Sequence, residues 1–440
     1  MVSADLNISR SDRVQAIIPA IFFLGPLVSS VVPRLTWLFL PLIATALIVP
    51  VLRRGSDWRL LIQPNTTLIA VLLVVLYVFL NATWAVDRGV AFGKAALLLW
   101  VALITFAASR ATVELDKAQL RPVALFFAAG AFLGALLVLF ELLTDGALTR
   151  LALNSIALLY PENAKHMTVS RGEVTRISLS ELNQNVAILM FNLWPGLLAL
   201  GTVESGTRRA IFVGLFFLAM AVPILISEHD SSQLALIGSI LAFALAWMWR
   251  RQVIRSLALL WCVAFAVVLP LSFFAYKAEL HMAPSLPESA RARVIIWEYT
   301  AERVLEQPWL GIGADSTRAL RGQREAAERP EGFIFKRTTA WHAHDVFLQT
   351  WYELGLVGAI LMALAGAAVA LRMSVLPFES QPFATATFAA FVGVAAFAWG
   401  MWQTWLVCAV ALMLLYLGVA ARISGGPQNT GEAMSDSWQR

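Results

Sequence analysis

Apolar windows of about 20 residues, each the length needed to cross the hydrocarbon core of a bilayer, recur along nearly the whole chain. They fall near 14–33, 35–52, 66–84, 91–109, 121–143, 184–203, 209–227, 233–249, 254–275, 344–371, 382–398 and 401–421. The pattern predicts an all-α polytopic membrane protein with about 12 transmembrane helices. Two longer polar stretches interrupt it, 144–183 and 276–343. Within the second, Val294, Ile295, Trp297 and Val304 recur at helical spacing, with Glu298, Glu302 and Arg303 opposite. From Arg293 to Leu305 this predicts an amphipathic helix lying on the membrane surface, ended by Pro308. The following string LGIGADS (310–316) predicts a glycine turn.

Composition agrees with the pattern. Of 440 residues, 59% are hydrophobic and 14% charged, and the mean hydropathy is +0.72. Those values exclude a soluble domain of this length. Lys and Arg sort to one side of the predicted spans: Arg10 and Arg13; Arg53, Arg54 and Arg59; Arg110, Lys117 and Arg121; Arg208 and Arg209; Arg250, Arg251 and Arg255; Arg372; Arg422. The opposite short loops carry Arg34 and Arg88. By the positive-inside rule both termini are expected in the cytoplasm and both long loops outside.

The expected organisation is nine helices in 1–275 with an outer loop at about 144–183, a large outer loop at 276–343, three helices in 344–423, and a polar tail from 424 to 440 with the composition of a disordered segment. The N-terminal MVSADLNISRSDR shows no apolar core followed by a cleavage site, so no removable signal peptide is expected. A pI near 9.5 follows from the charge sorting and does not point to nucleic acid. Cys262 and Cys408 both lie in apolar spans and read as packing residues. No CxxC, HExxH or Walker loop occurs, nor a DxD pair in the outer loops, so neither metal nor cofactor is expected.

The candidate chemistry lies at the start of the 344–371 window, in WHAHDVFLQTWYELGLVG (341–358). A helix beginning near His344 places Asp345, Gln349, Tyr352 and Glu353 along one stripe, with His344 at its edge. Charged groups at membrane depth usually face a polar cavity, and a helix N-terminus suits an anion such as a diphosphate. The alternative is that His342, His344 and Asp345 cap the helix within the headgroup layer. The first long loop also carries Arg150, Lys165, Arg171 and Arg176 against the positive-inside rule, and Arg337 lies just before the 341–358 stretch. His229, in SEHDSS, reads as part of an outer turn. Trp399, Trp402 and Trp405 read as an interfacial belt rather than a sugar platform.

The string His344-Asp345, nine residues, Gly355, two residues, Gly358 resembles the signature of the bacterial O-antigen ligase family. Arg293-Val-Ile-Ile-Trp297 followed by QPWLGIGADS is similar to the stretch leading into that signature. The likeness is tight over residues 290–360 and elsewhere rests on topology. Two positions depart: Asp345 stands where the family carries Asn, Ser or Gln, and ISEHDSSQLAL (226–236) lacks the arginine expected there.

The resemblance implies a GT-C-like architecture in the bacterial inner membrane. It implies transfer of O-antigen polysaccharide from undecaprenyl diphosphate to lipid A-core at the periplasmic face. O-antigen polymerase and protein O-oligosaccharyltransferase, with the same donor, are the alternatives; a secondary transporter or flippase is a further one. On this basis His344 and Arg293 are the expected catalytic residues, His344 as a base or, as imidazolium, a phosphate ligand. Arg171, Arg176, Arg337, His342 and Asp345 are expected to bind diphosphate or glycan, and Asp345 or Glu353 to orient His344. Membrane lipids and the two substrates are the expected partners.

Overall fold

The computed structural model describes residues 10–155, 167–202, 206–320 and 338–425. Its helices are α1 (Arg10–Val31), α2 (Thr36–Arg53), α3 (Thr66–Asn81), α4 (Arg88–Glu114), α5 (Lys117–Leu143), α6 (Ala147–Ser155), α7 (Asn183–Gly201), α8 (Gly206–Ile226), α9 (Asp230–Lys277), α10 (Glu288–Glu306), α11 (Ser316–Leu320), α12 (Val346–Arg372), α13 (Gln381–Ala395) and α14 (Thr404–Ser424). Each predicted apolar window falls on a helix. Eight of the described helices are long and apolar enough to cross a membrane, while α3 and the apolar part of α1 are shorter. Among the described residues the protein is an all-helical, multi-pass membrane protein apart from one antiparallel hairpin, β1 (Met167–Ser170) and β2 (Glu173–Ile177), in the connection between α6 and α7.

Helix α7 is buried on every side from Asn185 to Ala199, as expected of a helix apolar around its whole circumference. It contacts α14, α5, α8 and α13 and forms the axis of the bundle. Large side chains such as Leu76, Leu218, Leu241 and Phe274 stay exposed on the periphery, where lipid replaces water as solvent.

The 48 residues of α9 would span about 72 Å as one rod, more than twice a bilayer core of about 30 Å. The backbone leaves the helical region at Trp249, at φ −133° and ψ 54°. Before that point Ala235 lies against Gly393 and Phe243 against Phe383; after it Trp261 meets Phe388 and Phe391. The two halves therefore lie side by side along α13, matching the two separate windows in the sequence.

Helix α12 departs from the uninterrupted span expected. At Gly355 the backbone turns to φ 65° and ψ −167°, a conformation open essentially to glycine alone. The polar groups freed at the break find partners, as they must in a medium without water. The carbonyls of Tyr352 and Glu353 accept from the backbone N–H groups of Ile312 (3.1 Å) and Gly313 (2.9 Å). That of Leu354 accepts from the Tyr77 hydroxyl (2.8 Å). The N–H groups of Leu356 and Val357 donate to Pro308 (2.8 Å) and Trp309 (3.3 Å). Buried Asn81 completes the splice: its Nδ2 donates to Leu310 and Glu353 carbonyls, and its Oδ1 accepts from Ala314 N–H at 2.7 Å.

The glycine turn read from LGIGADS thus has a definite job: it inserts into the broken helix. A Cβ on Gly355 would lie 2.4 Å from the Trp309 carbonyl oxygen, and one on Gly311 2.5 Å from Glu353 backbone. Gly358 leaves room for the Leu354 side chain, which a Cβ would meet at 2.1 Å. Gly355→Ala is expected to destabilise the protein by about 2 kcal/mol or more, read as a lower unfolding temperature in detergent.

The amphipathic helix was placed correctly but extends further and packs differently from expectation. Helix α10 begins at Glu288 and packs on α9 and α12. Glu298, expected on the polar face, is buried with Val294, Ile295 and Val304. It is a helix docked on the bundle, not one lying free on a membrane surface.

Candidate active site

One turn organises the site. Between α13 and α14 the chain runs Ala396-Phe-Ala-Trp-Gly-Met-Trp-Gln403, and almost every residue of it holds a polar or aromatic group. The Ala398 carbonyl lies 2.7 Å from His344 Nδ1. The Trp399 ring stacks on His229, with centroids 4.7 Å apart, and meets Trp405 edge-on at 4.9 Å. Gly400 lies against His342, whose Cβ would be 3.0 Å from an added Cβ. Met401 N–H donates to Gln349 Oε1 (3.1 Å), the Trp402 carbonyl accepts from Lys94 Nζ (2.9 Å), and Trp402 Nε1 donates to Glu353. Trp402 and Trp405 are 3% and 6% exposed, which corrects the expectation of an interfacial belt.

His344 is not on the first turn of the helix. It sits before the N-cap in a left-handed conformation, φ 53°, which an L-residue adopts only when its surroundings hold it there. The N-cap is Asp345, whose Oδ1 accepts from Phe347 N–H (2.8 Å) and Leu348 N–H (3.0 Å). Burial raises the Asp345 carboxyl to about 7, against the pull of those two N–H donors. Neither Asp345 nor Glu353 orients His344, contrary to expectation; the Ala398 carbonyl does. Glu353 is instead held by Thr317 N–H (3.0 Å), Gln349 Nε2 (3.2 Å) and Trp402.

The hydrogen bonds define the imidazole tautomers. A carbonyl oxygen only accepts, so His344 Nδ1 carries the proton and Nε2 is left with the free lone pair in the neutral ring. His342 is the reverse: its Nδ1 accepts from His344 N–H at 3.3 Å, so its proton sits on Nε2. The two rings lie 4.0 Å apart between centroids. Burial pushes His344 down to about 4, with the Ala398 carbonyl opposing and Arg293 adding to the fall. Burial likewise takes His342 and His229 to about 3, with the charge of Arg293 contributing to both. All three are neutral at pH 7.

Arg293 supplies the positive charge of this cluster. On half-buried α10 it faces Asp230, which opposes the lowering of its own pKa by burial, but no carboxylate of the described residues lies within ion-pair distance of it. Ser289 Oγ donates to Asp230 (3.2 Å), and Trp297 Nε1 donates to the Ala343 carbonyl (3.0 Å), tying α10 to the irregular segment that carries both histidines.

Beside the cluster and sharing His342 is a cavity of about 230 Å³ lined by Lys94, Asp315, Arg318, Trp341, His342, Gln349, Gly400, Trp402 and Gln403. Lys94 and Asp315 pair across it at 3.5 Å.

The structure thus brings together Arg293, His342, His344 and Asp345 from the expected set. Arg171, at the hairpin turn with φ 53°, and Arg176 on β2 are exposed on an element that packs on α6, and neither acts on the histidines. Arg337 lies outside the described residues. His229 and Trp399 were not expected in the cluster, nor Lys94, Asp315 and Arg318 beside it. Lys94, a lone cation in an apolar window, was the one detectable signal among them.

Fold and site define a multi-pass membrane protein with a buried polar cluster at one end of its helix bundle, built around a neutral histidine and a guanidinium with no ion-pair partner among the described residues. Residues 215–363 match the family model described as O-antigen ligase, which bears out the resemblance seen in the sequence. The matched segment holds His229, Arg293, His342, His344 and the break at Gly355, whereas Lys94 and the 396–403 turn lie outside it. The chain is also 23% identical over 269 residues to a Rickettsia conorii protein named as a candidate polysaccharide ligase, covering 58% of this chain and 61% of that protein. A Rickettsia felis protein of the same description is 23% identical over 262 residues, covering 58% and 62%. The match thus spans about three fifths of the length of these relatives.

Proposed function

We propose that the protein is an O-antigen ligase, a glycosyltransferase that moves O-antigen polysaccharide from undecaprenyl diphosphate to a sugar hydroxyl of lipid A-core. The observation that carries this reading is the pairing of His344, neutral with its Nε2 lone pair free, with Arg293, a cation with no ion-pair partner among the described residues. The family match over 215–363 supports a lipid-linked polysaccharide as the substrate class.

In this mechanism His344 Nε2 takes the proton of the acceptor hydroxyl as its oxygen attacks the anomeric carbon of the donor glycan. The bond from that carbon to the diphosphate oxygen breaks, and the electron pair leaves with the diphosphate. Arg293 meets the charge that develops there. The depressed pKa of His344 favours the base over an imidazolium phosphate ligand. A single displacement inverts the anomeric centre. The sorting of Lys and Arg supports cytoplasmic termini in the bacterial inner membrane, with this cluster facing the periplasm.

Broken helices also occur in transporters, where freed backbone groups hold ions. Here the carbonyls of Tyr352, Glu353 and Leu354 are taken by Ile312, Gly313 and Tyr77, which favours transfer chemistry over transport. Polymerase or protein O-oligosaccharyltransferase activity would use the same donor chemistry. In cells lacking the protein, polymer of normal length with none attached to lipid A-core supports the ligase; shortened polymer supports the polymerase. Transfer is expected to persist in excess chelator, and complete loss restored by magnesium or manganese would contradict the metal-independent step.

A further inference from the structure

The cavity of about 230 Å³ is not used by the transfer step, yet it shares a wall with it. His342 lines the cavity and also contacts His344, whose backbone N–H it accepts. Anything seated in the cavity therefore touches His342, the ring that packs on the base.

The lining is specific in charge and shape. Lys94 is committed, pairing with Asp315 at 3.5 Å and donating to the Trp402 carbonyl at 2.9 Å. Arg318 is different. Its guanidinium is held over the Trp341 ring at 5.5 Å and makes no hydrogen bond or ion pair with any described residue. Its side chain is exposed, and Asp315 feels its charge. The lining side chains thus carry two positive charges against one negative. Asp87, the N-cap of α4, also acts on Asp315 but does not line the cavity. Trp341 and Trp402 offer aromatic surface, and Gln403 is an amide at the same wall.

An aromatic wall, a carboxylate and the Gln403 amide N–H for hydroxyl groups, and a guanidinium with unused donors together fit an acidic sugar. Resting on the transfer reading above, we infer that this cavity is the acceptor subsite, and that Arg318 binds an anionic substituent, phosphate or carboxylate, on a sugar of the acceptor glycolipid. Asp315, positioned by Lys94, accepts from that sugar's hydroxyls. The site selects acidic acceptors and presents the neighbouring hydroxyl to His344. Donor diphosphate, by contrast, is bound on the Arg293 side.

The test compares wild type with Arg318→Gln, using lipid A-core either intact, phosphatase-treated or amidated at its carboxyls. With intact acceptor, KM for lipid A-core is expected to rise about tenfold or more in the variant, while KM for the lipid diphosphate donor stays within about twofold. One of the two treatments should weaken wild type to the level of the variant, and which one does so identifies the anion. A shift falling on donor KM, no shift at all, or a gap that survives both treatments overturns the subsite. Direct binding of lipid A-core in detergent separates this inference from the transfer reading. Wild type that binds acceptor more tightly than Arg318→Gln but forms no product upholds the subsite and removes the transfer reading; equal binding removes the subsite.

Discussion

Alanine at His344 is expected to lower kcat for glycan transfer by about 10²- to 10⁴-fold, the range for loss of a positioned general base, with folding intact. The ring is only part-buried and makes a single side-chain hydrogen bond to the Ala398 carbonyl, apart from its packing against His342. Its removal therefore takes little from the bundle, and monodisperse elution should match wild type.

The pH profile sharpens the expectation. The base works unprotonated, and burial with the nearby Arg293 charge depresses His344 from 6.5 to about 4. In kcat/KM, which reports the free enzyme, transfer should hold as pH falls from 7 to 5 and decline through about 4. Asp345, raised to about 7, becomes protonated over the upper part of that window and weakens as an N-cap. Asp345→Asn, which caps as well, should remove any loss seen there. A limb at 6.5 insensitive to Asp345→Asn would mean that the working histidine is solvated.

Arg293→Ala is the second large effect. Removing a donor aimed at developing charge lowers kcat by about 10²- to 10³-fold, and Arg293→Lys should recover part of it, since a lysine restores the charge but not the planar fork. The two variants are distinguishable. Arg293 lowers the pKa of His229, His342 and His344 alike, so in Arg293→Ala the acid limb of the residual activity should move upward. An unchanged limb would place Arg293 too far from His344 to act on the same bond.

The sequence disclosed the helices well and their interruptions poorly. Hydrophobic windows find helices because a lipid solvent demands about 20 apolar residues in a row, and every window fell on one. Gly355 was visible only as part of a resemblance. Its meaning depends on Trp309 and Gly311 arriving from a separate loop, a long-range contact that no local pattern encodes.

The same holds for the site. His344 and Arg293 were legible as candidates because their motifs sit close in sequence to the signature. Asp345 was legible as a departure, and its role as N-cap explains it: Asn and Ser fill that role as readily. His229 and Trp399 were not legible, since one sits at the head of α9 and the other in the α13–α14 turn, and they meet only through stacking. The tryptophans of WGMWQTW were misread because aromatic residues near a span end fit an interface and a buried site equally well.

The most direct test of the account is transfer by purified wild type and His344→Ala from a lipid diphosphate-linked glycan to lipid A-core, following both glycosylated product and released undecaprenyl diphosphate. The account predicts equal amounts of the two with wild type, and both lowered together by about 10²-fold or more with the variant. Undiminished product from His344→Ala, with the protein monodisperse, would contradict it.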